Sequence, residues 1–381
     1  MQKFLKAAAV ATAMALVATA AFAADAKAKV TMEGSIFGTD GFHLDNKNQK
    51  DADMLEFSVS NERAGAAFKL WANLKNADAD NFVGDRQNED DVSYLTGDDP
   101  VVRFRSAVLW FKPIDMVKIS VGNVSGGLFT EQLNWWKVPT GADFNSFDRW
   151  ASRWSSYATV EGPGVSFDLT PVEGLSVSLG YTPGFGTNDL ADGYSANTKW
   201  GISAKYNIAG FGDVGASFRD EGENEAKLIK VGVQTSSLVP GLTAMLQFVG
   251  RMEYNNNINS TATEDAAFNG FSIDNHFAYA VDKFSVKANF PVTIRISGIE
   301  NDNSFMTYDV KFAYGLGTIS PYFRLTQEGL NFGDVAFTPA IKLGAEWGYD
   351  GGSFDIGLQI DVPAEGADVT WSLPFLFGVA F

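Results

Sequence analysis

Counting back by twos from Phe381 gives Val379, Phe377, Phe375, Leu373 and Trp371, while Ala380, Gly378 and Ser372 between them are small or polar. Period two is the period of a β-strand with two different faces. A strand that ends in this way, with an aromatic face and no polar tail, suits lipid on one side and a final aromatic at the membrane–water boundary. The same alternation recurs upstream. Phe284, Val286, Ala288, Phe290, Val292, Ile294 and Ile296 alternate with Ser285, Lys287, Asn289, Thr293 and Arg295; Phe354, Ile356, Leu358, Ile360 and Val362 alternate with Asp355, Gln359 and Asp361.

The N-terminus fits an export route. Lys3 and Lys6 form a positive n-region, Ala7 to Ala20 an apolar stretch, and Ala21-Phe22-Ala23 a small-x-small cleavage site. This is the pattern of a secretory signal peptide over 1–23, which leaves 24–381 as a single domain beginning at Ala24. Beyond it no run of about 18 apolar residues is available for a transmembrane helix. The hydrophobic residues are dispersed by alternation instead. With no Cys, disulfides and thiolate metal sites are excluded. The 31 Phe, 9 Trp, 11 Tyr and 38 Gly favour strands and turns over helices. A net charge of −17 argues against nucleic acid as a partner.

Alternation, turn residues and spacing predict about 18 strands, with about 16 if two merge, an even number as single-chain bacterial barrels require. The connections are sorted by parity. Those after even strands are tight, as in Asn61-Glu62-Arg63, Pro240-Gly241, Asp282-Lys283 and Asp350-Gly351-Gly352. Those after odd strands are mostly long and polar, as in 38–53, 76–100, 125–156, 183–197 and 253–270. A soluble sandwich or propeller has no reason to sort its loops this way, whereas a membrane barrel has short periplasmic turns and long extracellular loops. The predicted fold is therefore an all-β, antiparallel, up-and-down transmembrane barrel. A closed sheet of that circumference is too wide for side chains to fill, so the apolar parity faces lipid and the charged parity a wet lumen.

On the lumen parity lie Lys69, Arg103, Arg105, Lys118, Lys199, Lys205, Arg219, Arg251, Lys287, Arg295, Lys311, Arg324 and Lys342. Acids there are fewer: Asp168, Asp274, Asp309, Glu346, Asp355 and Asp361. Acidity collects instead in the loops, as at Asp78, Asp80, Asp85 and Glu89 to Asp91. Rings of Arg and Lys favour anions in pores, which predicts a mildly anion-preferring lumen beneath an acidic mouth. Local pairing of the wall charges is the alternative and leaves selectivity near neutral.

The longest connection, 125–156, holds Trp135, Trp136, Trp150 and Trp154 with Glu131, Asp143, Asp148, Arg149 and Arg153. Asn145-Ser146 suit the cap of a short helix in which Trp150 and Trp154, and likewise Arg149 and Arg153, share faces. One reading folds this loop inward, with the arginines opposing Asp143 or Asp148 across a constriction. The other uses the tryptophans as anchors to the wall or the interface belt. No enzyme signal stands beside these. Asp78-x-Asp80 lacks the remaining pattern of a Ca²⁺ loop, His276 with Asp274 lacks a nucleophile, and Gly122 to Gly127 lacks phosphate-loop spacing.

The closing strand with Phe377, Val379 and Phe381 resembles the terminal β-signal of bacterial outer-membrane barrels, and the hairpin Leu109-Trp110-Phe111-Lys112-Pro113 … Val117-Lys118-Ile119-Ser120-Val121-Gly122 resembles a porin hairpin. The chain as a whole resembles the porin superfamily, general or substrate-specific. That resemblance implies a Gram-negative outer-membrane channel for passive diffusion of small hydrophilic solutes and ions. It implies lipid and the barrel assembly machinery as partners, the latter through the last strand, with a homotrimer as one assembly. It implies no cofactor. A structural or adhesin barrel, binding a partner through its acidic loops, is the other function this layout allows.

Overall fold

The computed structural model describes residues 25–39, 54–72, 102–126, 160–183, 198–220, 222, 227–252, 269–297, 305–331, 337–363 and 368–380. In chain order the strands are β1 (Asp25–Gly38), β2 (Met54–Ser60), β3 (Ala64–Ala72), β4 (Val102–Ile114), β5 (Val117–Gly126), β6 (Val160–Val172), β7 (Leu175–Thr182), β8 (Lys199–Ile208), β9 (Gly212–Asp220) and β10 (Lys227–Thr235). They continue as β11 (Leu242–Met252), β12 (Asn269–Val281), β13 (Phe284–Asn289), β14 (Val292–Ser297), β15 (Phe305–Tyr314), β16 (Ile319–Asn331), β17 (Ala340–Tyr349), β18 (Gly352–Asp361) and β19 (Thr370–Ala380).

All nineteen belong to one sheet in which each strand pairs antiparallel with its neighbours. β1 pairs with both β2 and β19, so the sheet closes and no edge remains. β13 and β14 each pair with β12 and with β15 and form one crossing interrupted at Phe290-Pro291, which makes the barrel one of eighteen crossings. Closure matters physically because an open row of backbone donors and acceptors has no partner in hydrocarbon.

The outside and inside of the barrel reverse the pattern of a soluble protein. Large apolar side chains are exposed on one parity, among them Leu109 (56%), Val231 (52%), Leu246 (50%) and Leu343 (55%). Polar and charged ones are buried on the other, among them Lys230, Gln247, Asp309, Arg324 and Gln359. At the short-turn end the outward face carries aromatics from neighbouring crossings. Tyr349 and Phe377 stack with centroids 6.3 Å apart, and Phe312 lies 6.4 Å from both Phe284 and Phe323. Girdles of aromatic side chains flank the apolar band of a membrane barrel, and Tyr349 adds a polar tip to its apolar body.

The tight turns use local chemistry. The Asn61 side-chain oxygen accepts from the backbone N–H groups of Arg63 and Ala64, both at 2.8 Å, closing the turn between β2 and β3. Gly241, at φ +77°, turns β10 into β11 where an added Cβ would strike the Ala280 carbonyl. At the seam between β1 and β19 a β-bulge falls between Ser35 and Gly38. Thr39 repairs it: its N–H donates to the Trp371 carbonyl at 2.9 Å, and its hydroxyl oxygen accepts from the Trp371 N–H at 3.1 Å.

Two strands depart from simple alternation. In β4, Ser106 is opposite Lys69 but Phe104 is opposite Leu70, so Arg105 sits in a bulge. The bulge shifts parity: Trp110 shares a side with buried Ser120, while Leu109 and Phe111 are exposed outside. Arg103, at odd parity like Leu109, therefore no longer implies the same face as Leu109. In the crossing predicted as one strand over 284–296, Pro291 has no N–H to offer β15, to which its carbonyl is joined by the Thr307 N–H at 3.0 Å. On the β12 side Asn275, on the outward parity between exposed Ile273 and Phe277, bridges to Phe290. Its side-chain N–H donates to the Phe290 carbonyl at 2.7 Å and its side-chain oxygen accepts the Phe290 N–H at 2.9 Å.

Candidate functional site: the lumen wall

The inward faces divide into two arcs. On β15 to β18 the polar side chains are tightly paired, and apart from Glu346 the members of these pairs are buried. Arg324 donates through two nitrogens to both carboxylate oxygens of Asp309, an arrangement that locks geometry as well as charge. Lys311 donates to Glu346. Lys342 donates to Asp355 Oδ1 at 3.0 Å, and the Tyr322 hydroxyl donates to the same oxygen at 2.7 Å. The Tyr322 ring lies between the two ammonium groups, 4.1 Å from Lys311 Nζ and 5.6 Å from Lys342 Nζ. Cross-strand register makes the cluster possible, because Lys311, Arg324 and Lys342 lie side by side on three successive strands. Three like charges in a row require the interleaved acids; without them the row would repel itself.

Tyr322 lies flat on the wall because Gly344 is opposite it on β17. A Cβ at residue 344 would overlap the phenol ring. Trp110 covers Gly65 across β3 and β4 in the same way. Gly344→Ala is therefore expected to push the Tyr322 ring off the wall and to cost roughly 1–3 kcal/mol as overpacking. Urea midpoints of the refolded protein in detergent, compared with those of Gly348→Ala, where an added Cβ meets nothing, check this.

On β2 to β9 the lumen pairs are more open. Lys69 meets Glu56 at 2.8 Å, Lys118 meets Asp168 at 3.8 Å and Lys205 meets Asp213 at 3.5 Å. Lys118 also stands 5.5 Å from the Trp110 ring centroid. Among the described residues the buried polar side chains here are Ser120, Thr182, Ser203 and Arg219.

Of the sequence-predicted pore residues, Lys69, Arg219, Lys287, Arg324 and Lys342 lie on the lumen parity, with Arg219, Arg324 and Lys342 buried. Arg103, Arg105, Arg251 and Arg295 lie on described backbone, but their side chains are outside the described part. Glu131, Trp135, Trp136, Asp143, Asp148, Arg149, Trp150, Arg153 and Trp154 fall outside the described residues, as do the segment 1–23, the acidic stretch 78–99 and Phe381. Phe377 and Val379 face outward on β19 opposite Phe354 and Gly352. Sequence reasoning missed Tyr322, Trp110, Gln247, Glu56 and Asp213 as wall residues. Alternation alone puts Tyr322 on the parity of Arg324 and Gln247 on that of Arg251; the partners they meet across strands, and the face of Trp110 beyond its bulge, follow only from register.

No family model and no curated protein matches the chain. Solved structures do. OccK9 (OpdG) of Pseudomonas aeruginosa aligns with TM-score 0.56 at 9% identity, covering 94% of this chain and 97% of that one. The chain has the fold of an outer-membrane porin. A BenF-like porin from Pseudomonas fluorescens Pf-5 gives TM-score 0.55 at 9% identity, with 94% and 98% covered. OccAB4 of Acinetobacter baumannii gives 0.55 at 11% identity, with 94% and 97% covered. In this porin fold the exposed apolar parity is the lipid-facing belt and the charged parity the lining of the barrel.

Proposed function

We propose that the protein is an outer-membrane channel through which small hydrophilic solutes and ions pass by diffusion, without a cofactor or energy coupling. The observation that carries this reading is the inverted barrel: eighteen crossings, apolar outside, with Lys69, Glu56, Lys118 and Asp168 each about a third or more exposed inside. Charges so placed are hydrated, and hydrated charges along a closed wall line a path for water. The last strand, with Phe377 and Val379 outward, serves as the signal for the assembly machinery. Structures resembled by this chain include OpdK with vanillate, which supports a small organic solute as cargo.

Selectivity is mild and toward anions. Lys287 supports it, a lumen cation with no ion pair among the described residues. Pairing of Lys69, Lys118, Lys205, Lys311, Arg324 and Lys342 with acids keeps the preference small. Purified protein in a planar bilayer is expected to give open steps of defined size, and in a salt gradient a reversal potential displaced toward the anion. Silence in the bilayer overturns the channel; a clear cation preference overturns the selectivity.

A further inference from the structure

Where β6 to β9 reach the short turns, the wall opens into a cavity of about 570 Å³. Glu173 and Ser176 line one side of it, and Lys205, Asn207 and Asp213 the other. Asp168 is next along the wall, in register with Lys118 on β5 and Ser178 on β7, while Ser176 is in register with Lys205. The ion pairs here differ from those of the buried arc. Lys118 and Lys205 stand 3.8 Å and 3.5 Å from their carboxylates, beyond the length of a good charged hydrogen bond. Each carboxylate is nonetheless held by a neutral donor. Ser178 Oγ donates to Asp168 at 2.6 Å, and Asn207 Nδ2 donates to Asp213 at 2.7 Å. The acids are thus fixed in orientation and the lysines loosely held.

We propose that this shelf is a binding site for small zwitterionic solutes, with Asp168 receiving the ammonium end and Lys205 the carboxylate. One strand separates β6 from β8 and the register offsets the two residues by two positions, so the side chains rise from points roughly 12 Å apart. Two charge-assisted contacts of about 2.8 Å leave on the order of 6 Å between the charged atoms of the solute. That is the span of a four-carbon ω-amino acid. A solute with one charge engages one end only. The arc on β15 to β18 cannot serve in this way, because its cations are buried and each donates a hydrogen bond to its own carboxylate. The inference rests on the channel reading and adds a solute class and a place to it.

The test uses single-channel currents of the full protein with γ-aminobutyrate, butyrate and butylammonium as probes. γ-Aminobutyrate is expected to interrupt the open current at about tenfold lower concentration than either singly charged probe, the effect of one further charged contact. Asp168→Asn and Lys205→Gln should each erase that advantage, while Lys69→Gln, elsewhere on the wall, keeps it. Heat-modifiable gel migration verifies that each variant is folded. Equal interruption by the three probes, or an advantage that survives both Asp168→Asn and Lys205→Gln, overturns the site. Open steps without selective interruption overturn this inference alone; no open steps in plain salt overturn the channel and the site together.

Discussion

Replacing Arg324 by Met is expected to lower the stability of the barrel by roughly 3–5 kcal/mol, the cost of leaving one member of a buried pair uncompensated. Asp309 would remain, buried, with both its oxygens deprived of the guanidinium that now satisfies them. The double variant Arg324→Met with Asp309→Leu is expected to recover most of the loss, because it removes the stranded charge along with its partner. Urea unfolding in detergent micelles or liposomes measures both. A double variant as unstable as the single one would show that the pair also holds its neighbours, Lys311 and Lys342, in place. Since the pair is enclosed, channel selectivity should move far less than stability.

Asn275→Leu is expected to cost roughly 2–5 kcal/mol. It removes both hydrogen bonds to Phe290 and leaves that residue's N–H and C=O facing hydrocarbon, where an unsatisfied backbone group costs several kcal/mol. On hydropathy alone the change should help, since Leu suits lipid better than Asn. The two arguments predict opposite signs, and the backbone argument is the larger. Pro291 faces the other neighbour: its carbonyl accepts from the Thr307 N–H on β15, so Pro291→Ala offers a donor to β15 and none to β12. The cost of Asn275→Leu should therefore persist in the Pro291→Ala background, and a double-mutant cycle measures it. A cost that vanished there would show that the Phe290 contacts exist only because of the proline.

Much of the architecture was legible because a membrane barrel writes its inside and outside onto every strand at period two. Met54–Ser60 and Leu242–Met252 were readable to the residue, and tight turns such as Asp282-Lys283 marked the ends of strands by their own chemistry. Other boundaries moved for physical reasons. The strand expected over 335–349 begins at Ala340, and that expected over 319–326 runs on to Asn331 through a bulge that loses alternation. Asn275 reads in the sequence as a polar blemish on a lipid-facing row; its purpose depends on Phe290, 15 residues away on the next crossing.

Alternation along each strand and the lengths of the connections are enough to give the class of fold and about 18 crossings. What each charge does depends on which strands the closed sheet brings beside it. Lys342 and Lys205 both point inward by the same rule, yet one is buried against Asp355 and Tyr322, and the other is loosely held beside a cavity. The difference lies in register. Electrostatic partners in a barrel sit across strands about 4.8 Å apart, and a single chain read end to end does not state which residues become neighbours when the sheet closes.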